Sequence, residues 1–180
     1  MKNLFILSII LLMAISAMSQ PCLPQGITFT TQTQIDSFPI NHPNCTEIGG
    51  YVTIQGSLPP TITNLNGLSG LTTVGGLIFT GNLAMANLTG LNNVTSIGGN
   101  LKFDFAYGIY SLTGLDNLTS IGGSLEFTAT DELNSLRGLD NLTSIGSDLN
   151  CRENFSLTSL TDWVIWLQSK GTLIFMKMTT

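Results

Sequence analysis

Polar and apolar positions along this chain recur with a long period rather than a short one. Five segments align on one pattern: TEIGGYVTIQG from Thr46, TTVGGLIFTGN from Thr72, TSIGGNLKFDF from Thr95, TSIGGSLEFTA from Thr119 and TSIGSDLNCRE from Thr143. Their anchoring aliphatics are Ile48, Val74, Ile97, Ile121 and Ile145, at spacings of 26, 23, 24 and 24 residues. Self-similarity at such a period marks a solenoid, in which each unit buries its apolar face only against its neighbours. Further columns follow in each unit. Leu65, Leu88, Leu112, Leu136 and Leu160 form one; Leu68, Leu91, Leu115, Leu139 and Trp163 the next; Leu71, Val94, Leu118, Leu142 and Trp166 the third. Their three-residue spacing is helix-like, but NGLSGL, TGLNNV, TGLDNL and RGLDNL place Gly and Asn every few residues, which favours turns.

The strand of each coil lies after the Gly-Gly pair, as in LKF and LEF, and alternate residues of a strand share a face. Aligning the coils on that pair without a gap points Val52, Ile78, Leu101, Leu125 and Leu149 inward, and with them Ile54, Thr80, Phe103, Phe127 and Cys151. The same alignment turns Tyr51, Thr53, Leu77, Phe79, Asn100, Lys102, Ser124, Glu126, Asp148 and Asn150 outward. The expected fold is mainly β: a leucine-rich-repeat-like solenoid of about five coils of 23–26 residues.

The ends read differently. Residues 1–19 resemble a secretory signal, with Lys2, an apolar run from Leu4 to Met13, and small residues Ala17 and Ser19 before a new N-terminus at Gln20. Residues 20–45 form an expected N-terminal cap. Thr31–Phe38 reads as a short helix presenting Ile35 and Phe38 on one face, ended by Pro39. The solenoid spans 46–160. In 161–180, TDWVIWLQSK reads as a helix starting at Thr161 or Asp162, and the tail TLIFMKMTT as a last strand or the product of a truncated reading frame.

Export implies an oxidising compartment. Of three cysteines, Cys22 and Cys45 share the pre-repeat segment and are expected to pair, leaving Cys151 as a buried thiol in a core column. Charged residues make up 9% of the chain, the net charge is -5, and the six Lys and Arg are scattered singly. With no basic stripe to neutralise phosphates, nucleic acid is not an expected partner.

The unit C-x-x-I-x-G-x-V-x-I followed by L-x-x-L-x-x-L, here Cys45, Ile48, Gly50, Val52 and Ile54, then Leu65, Leu68 and Leu71, resembles the receptor L-domain family. PNCTEIGGYVTI and LTSIGGSLEF are similar to its secreted bacterial forms. The resemblance covers roughly residues 22–163. It implies a short right-handed β-helix whose contacts with partners come from the exposed sheet face and adjoining loops. No single contact residue carries over.

Candidate chemistry is sparse. A partner surface is expected over Tyr51, Thr53, Leu77, Phe79, Lys102, Glu126 and Asn150, with Tyr51, Leu77 and Phe79 as its apolar centre and Lys102 with Glu126 as a cross-strand charge pair. Tyr107 and Tyr110 suggest a small aromatic shelf beside Ile109, which aligns with the core positions Met85 and Leu133. Asp104, Glu126 and Asp148 lie on successive coils but not in one column, an unpromising layout for paired acid–base work. His42 is the only histidine and stands among prolines. No catalytic, cofactor or metal residue is assigned. Six N-x-S/T triplets occur, at Asn44, Asn87, Asn93, Asn117, Asn141 and Asn154; those at Asn93, Asn117 and Asn141 belong to the repeat itself. The expected function is a non-enzymatic, secreted or cell-surface recognition or adhesion module binding protein or glycan. The alternatives are a structural fragment of a larger envelope protein and, more remotely, a β-helix polysaccharide-active enzyme.

Overall fold

A computed structural model describes residues 20–154, Ser156 and, through backbone pairing, the strand 175–179. The leader at 1–19, Leu160, Trp163, Trp166 and the expected helix from Thr161 or Asp162 lie outside the described residues.

The chain winds into a parallel β-solenoid of about five turns. The long rungs are β2 (Glu47–Gln55), β3 (Thr73–Asn82), β5 (Leu101–Tyr107), β7 (Leu125–Thr128) and β9 (Asp148–Arg152). Each pairs in parallel with the next. Beside them, the two-residue strands β4 (Ser96–Ile97), β6 (Ser120–Ile121) and β8 (Ser144–Ile145) continue the first half of β3 across the glycine corner. The sheet extends at one side through β1 (Ile27–Phe29), parallel to β2, and at the other through β10 (Phe175–Thr179), parallel to β9. The tail that the sequence left open between a last strand and a truncated frame thus supplies a rung.

Parallel stacking makes the interior a set of ladders. The column Ile48, Val74, Ile97, Ile121 and Ile145 is buried, as are the three leucine columns through Leu136, Leu139 and Leu142. One strand column runs Phe29, Ile54, Phe79, Phe103, Phe127 and Cys151 in continuous register. Phe79, Phe103 and Phe127 in it stack, with ring centroids 4.9 Å apart for Phe79 and Phe103 and 5.2 Å for Phe103 and Phe127, and planes within 10° of parallel.

The second coil departs from the ungapped alignment. Leu77 and Phe79 are buried, while Ile78 and Thr80 face outward. Register pairs Ile48 with Val74 but Tyr51 with Gly76, so β2 spends one more residue than β3 at this corner. Because strand faces alternate with period two, one missing residue exchanges them. Leu77 and Phe79 are therefore core residues rather than a partner surface.

The first coil is closed by α1 (Gln32–Asp36) and α2 (Phe38–Asn41). Thr31 caps α1: its hydroxyl accepts from the Gln34 amide while the Gln34 side chain accepts from the Thr31 backbone, a capping box. Ile35 and Phe38 are buried. Pro39 does not end this segment but sits in the first turn of α2, where a missing N–H costs nothing. Cys22 and Cys45 are bonded, with Cα atoms 5.8 Å apart, so the segment around the cap is tied to the start of the first coil. Closing such a loop contributes about 3 kcal/mol in the chain-entropy account.

Cys151 ends the phenylalanine ladder as a buried free thiol. Desolvation pushes its pKa from 9.0 up to about 12. The folded chain therefore holds this proton more tightly than the unfolded one. Its contribution to stability is fully present below pH 9 and is lost as pH rises from there towards 12. We expect no reaction with a disulfide-type thiol reagent at pH 8 in native protein, and one equivalent on unfolding without reductant. Rapid native labelling would place Cys151 in solvent.

Candidate recognition face

The outward face of the long rungs is where Thr53, Lys102, Glu126 and Asn150 were expected. Register fixes its rows. One reads Thr28, Thr53, Ile78, Lys102, Glu126, Asn150; the next reads Gln55, Thr80, Asp104, Thr128, Arg152. Thr53, Lys102, Glu126 and Asn150 thus share the face expected of them, with Ile78 in the place that the alignment gave to Phe79. All four are half-buried by their neighbours.

Lys102 stands opposite Glu126 in register, but its ion pair is along its own strand, Nζ to Asp104 Oδ2 at 3.5 Å. With both side chains about one-third exposed, this pair is worth well under 1 kcal/mol. Glu126 instead accepts from Asn100 Nδ2 at 3.4 Å, and Asn100 Oδ1 accepts from the Ser124 amide at 2.9 Å. The Ser124 hydroxyl accepts from the Asp148 amide at 3.3 Å. Asn100, Ser124 and Asp148 therefore form a polar seam linking the third, fourth and fifth rungs. On this face Lys102 and Asp104 are thus paired with each other and Glu126 is hydrogen-bonded to Asn100.

Tyr51 is 43% exposed yet packed on one side. A β-carbon on Gly76 would run into its ring, and one on Gly99 would come 2.9 Å from its hydroxyl oxygen. Glycines in the next two coils thus open a gutter in which the ring lies, leaving its other side to solvent. Tyr107 and Tyr110 are at the far end of the rung. Tyr107 closes β5 opposite Asn82, and Tyr110 is 50% exposed in the following loop. The structure does not gather the three tyrosines: Tyr51 lies in the middle of β2, at the glycine corner, while Tyr107 ends β5 and Tyr110 follows it. Ile109 is buried in the column of Met85 and Leu133.

The acidic residues fall in different rows. Asp104 pairs with Thr80 and Thr128, Glu126 with Lys102 and Asn150, and Asp148 stands two residues before Asn150. Among the described residues no group of three His, Cys, Asp or Glu side chains converges on a point. His42 packs its ring 5.1 Å from that of Phe38. Both line an open groove of about 250 Å³ beside β1, with Ile27, Phe29, Gln34 and Asn41. No motif marks this groove in the sequence, because it forms where a cap helix passes a strand.

Asparagines also carry more than turn propensity. Asn93 Nδ2 donates to Ser69 O at 2.8 Å, Asn117 to Asn92 O at 2.7 Å, and Asn141 to Asp116 O at 2.6 Å. Each side chain ties its coil to the one before.

Comparison with known proteins gives no family model, no curated protein and no solved structure that matches this chain.

Proposed function

We propose that this chain is a non-enzymatic recognition or adhesion module, secreted or held at a cell surface, that binds a protein or glycan through the exposed face of its parallel sheet. The observation that carries this reading is the register of the outward rows, which holds Thr53, Ile78, Lys102, Glu126 and Asn150 on adjacent rungs of one rigid surface. A rigid scaffold lowers the ordering cost of association. The Cys22–Cys45 disulfide suits an oxidising compartment, and no helix among the described residues is long and apolar enough to cross a membrane. The likeness of Ile48, Gly50, Val52 and Ile54, followed by Leu65, Leu68 and Leu71, to receptor L domains of the secreted bacterial type agrees with this use of the face. A structural element of a larger envelope protein is the second reading, favoured by β10, which continues the ladder beyond the fifth coil.

The test is binding of the purified chain to arrays of glycans and secreted proteins, repeated with Ile78→Asp and Lys102→Glu. We expect any ligand to be lost from both variants, by tenfold or more, with the melting temperature little changed. Full retention by both variants moves the contact surface off this face. Steady turnover of a glycan on the array, abolished by Glu126→Gln, would replace the reading with an enzymatic one.

A further inference from the structure

The repeat writes the same triplet three times: Asn93-Val94-Thr95, Asn117-Leu118-Thr119 and Asn141-Leu142-Thr143. Each is an acceptor triplet for N-linked glycan. In each the middle residue is buried and the two ends are bonded to the preceding coil. The asparagine amides reach back at 2.6–2.8 Å, as described. The threonine hydroxyls do the same, Thr95 Oγ1 to Thr72 O at 3.3 Å, Thr119 to Thr95 O at 2.9 Å and Thr143 to Thr119 O at 2.9 Å. The triplet recurs because two parallel hydrogen-bond ladders, two residues apart on either side of a core position, need those residues.

The remaining three triplets differ. Asn154 Nδ2 donates to Phe127 O at 3.0 Å, and its Oδ1 accepts from the Thr130 amide at 2.9 Å. Asn44 is exposed beside the disulfide, at φ +63°. Asn87 uses only its Oδ1, accepting from the Thr89 amide at 3.0 Å. Among the described residues, the Nδ2 atoms of Asn44 and Asn87 have no protein partner.

We infer that Asn44 and Asn87 are the modification sites this fold leaves open to N-linked glycan, and that glycan on Asn93, Asn117, Asn141 or Asn154 would disturb the side-chain bonds that tie each coil to the one before and so be absent from folded chains. The transfer joins Nδ2 to the anomeric carbon of a lipid-linked oligosaccharide diphosphate. The carbon–oxygen bond to the diphosphate breaks, the lipid diphosphate departs with the electron pair, and the amide loses one proton. On the ladder asparagines the new bond would seat a sugar on the nitrogen that faces the neighbouring backbone. Successive ladder sites are one rung apart, about 4.8 Å, narrower than a sugar ring with its hydroxyls. Because transfer precedes folding, selection acts on which modified chains fold.

The inference rests on the secretory reading, in a host whose secretory path transfers N-linked glycan, and the experiment separates the site assignment from that reading. The full chain is expressed in a eukaryotic secretory cell, once with its own residues 1–19 and once with a proven leader in their place. Protease-resistant, folded material is then treated with a glycan-releasing amidase in heavy-oxygen water and mapped by mass spectrometry. Heavy-oxygen Asp is expected at 44 and 87 and unlabelled Asn at 93, 117, 141 and 154. In the double variant Asn44→Asp, Asn87→Asp, amidase treatment should no longer shift the folded band on a gel. Export with the proven leader alone would refute the secretory reading and leave the site assignment standing. A glycan on any ladder asparagine in folded material, or bare Asn44 and Asn87, would overturn the assignment.

Discussion

Replacing Gly114 with valine will unfold most of the molecule's solenoid at ambient temperature or lower its melting point steeply, whereas Gly70→Ala will leave stability within about 0.5 kcal/mol. Gly114 has φ +111°, a backbone conformation hostile to a β-branched residue, and a β-carbon there would overlap the Leu88 carbonyl of the preceding coil. Gly90 and Gly138 repeat the geometry against Leu65 and Leu112, so the position is where the backbone of one coil rests directly on the next. The left-handed penalty of roughly 1–2 kcal/mol adds to roughly 1–3 kcal/mol of overpacking. Backbone against backbone leaves no flexible side chain to yield, so the expected loss is at the upper end, about 3–5 kcal/mol. A β-carbon on Gly70 meets nothing within 4 Å, and its φ is not positive. Thermal or urea unfolding of the pair measures the difference. Equal melting points would mean that the coils do not touch at Gly114.

The second large effect is expected at Phe103. It is the middle ring of the Phe79–Phe103–Phe127 stack and is 1% exposed. Truncation to alanine removes the burial of a whole ring and leaves a cavity between two rigid neighbours, a change that costs about 3–5 kcal/mol. Two ring contacts, each worth roughly 0.5–1.5 kcal/mol beyond area, go with it. Phe105, two residues along, is the internal control. It takes φ +52° at the end of the regular ladder and is 47% exposed. Phe105→Gly is expected to cost less than 1 kcal/mol, since glycine relieves the left-handed penalty of roughly 1–2 kcal/mol while forfeiting partial burial. Urea midpoints for the two variants should differ severalfold in their shift from the parent. Similar shifts would show that the break in alternation at Phe105 is misassigned.

How far these positions were legible from sequence differs by mechanism. Phe103 and Phe127 declare themselves, because LKF and LEF repeat at the same distance after the Gly-Gly pair. Phe79 did not, because its coil is one residue shorter between Val74 and Leu77 than the next coil between Ile97 and Leu101. The motif LIF, set against LKF and LEF, carries the right answer; the glycine pair, used as the anchor, overrides it. The leucine columns were legible since each is fixed by volume and period. The polar ladders were not, because an asparagine that favours a turn and one that donates to the coil behind look alike in sequence. The same holds for the left-handed column Gly81, Phe105, Ala129 and Glu153, whose φ values lie between +49° and +79°. Only the first is glycine, so composition hides a backbone feature that register enforces. On the candidate face, Thr53, Lys102, Glu126 and Asn150 followed from alternation, whereas the Lys102–Asp104 pair and the Asn100–Glu126 bond depend on side-chain reach that spacing does not encode.

Everything in this fold depends on rungs that stack in parallel and in register. Spin labels on cysteines replacing Thr53 and Asn150, in a Cys151→Ala background with the native disulfide intact, measure this stacking directly. Four rung steps separate these outward positions, through Ile78, Lys102 and Glu126. At about 4.8 Å per step, stacked rungs will give a narrow distance distribution near 19 Å, broadened by a few ångströms of label linker. A distribution centred beyond about 30 Å, or spread without a peak, would contradict the stacked register.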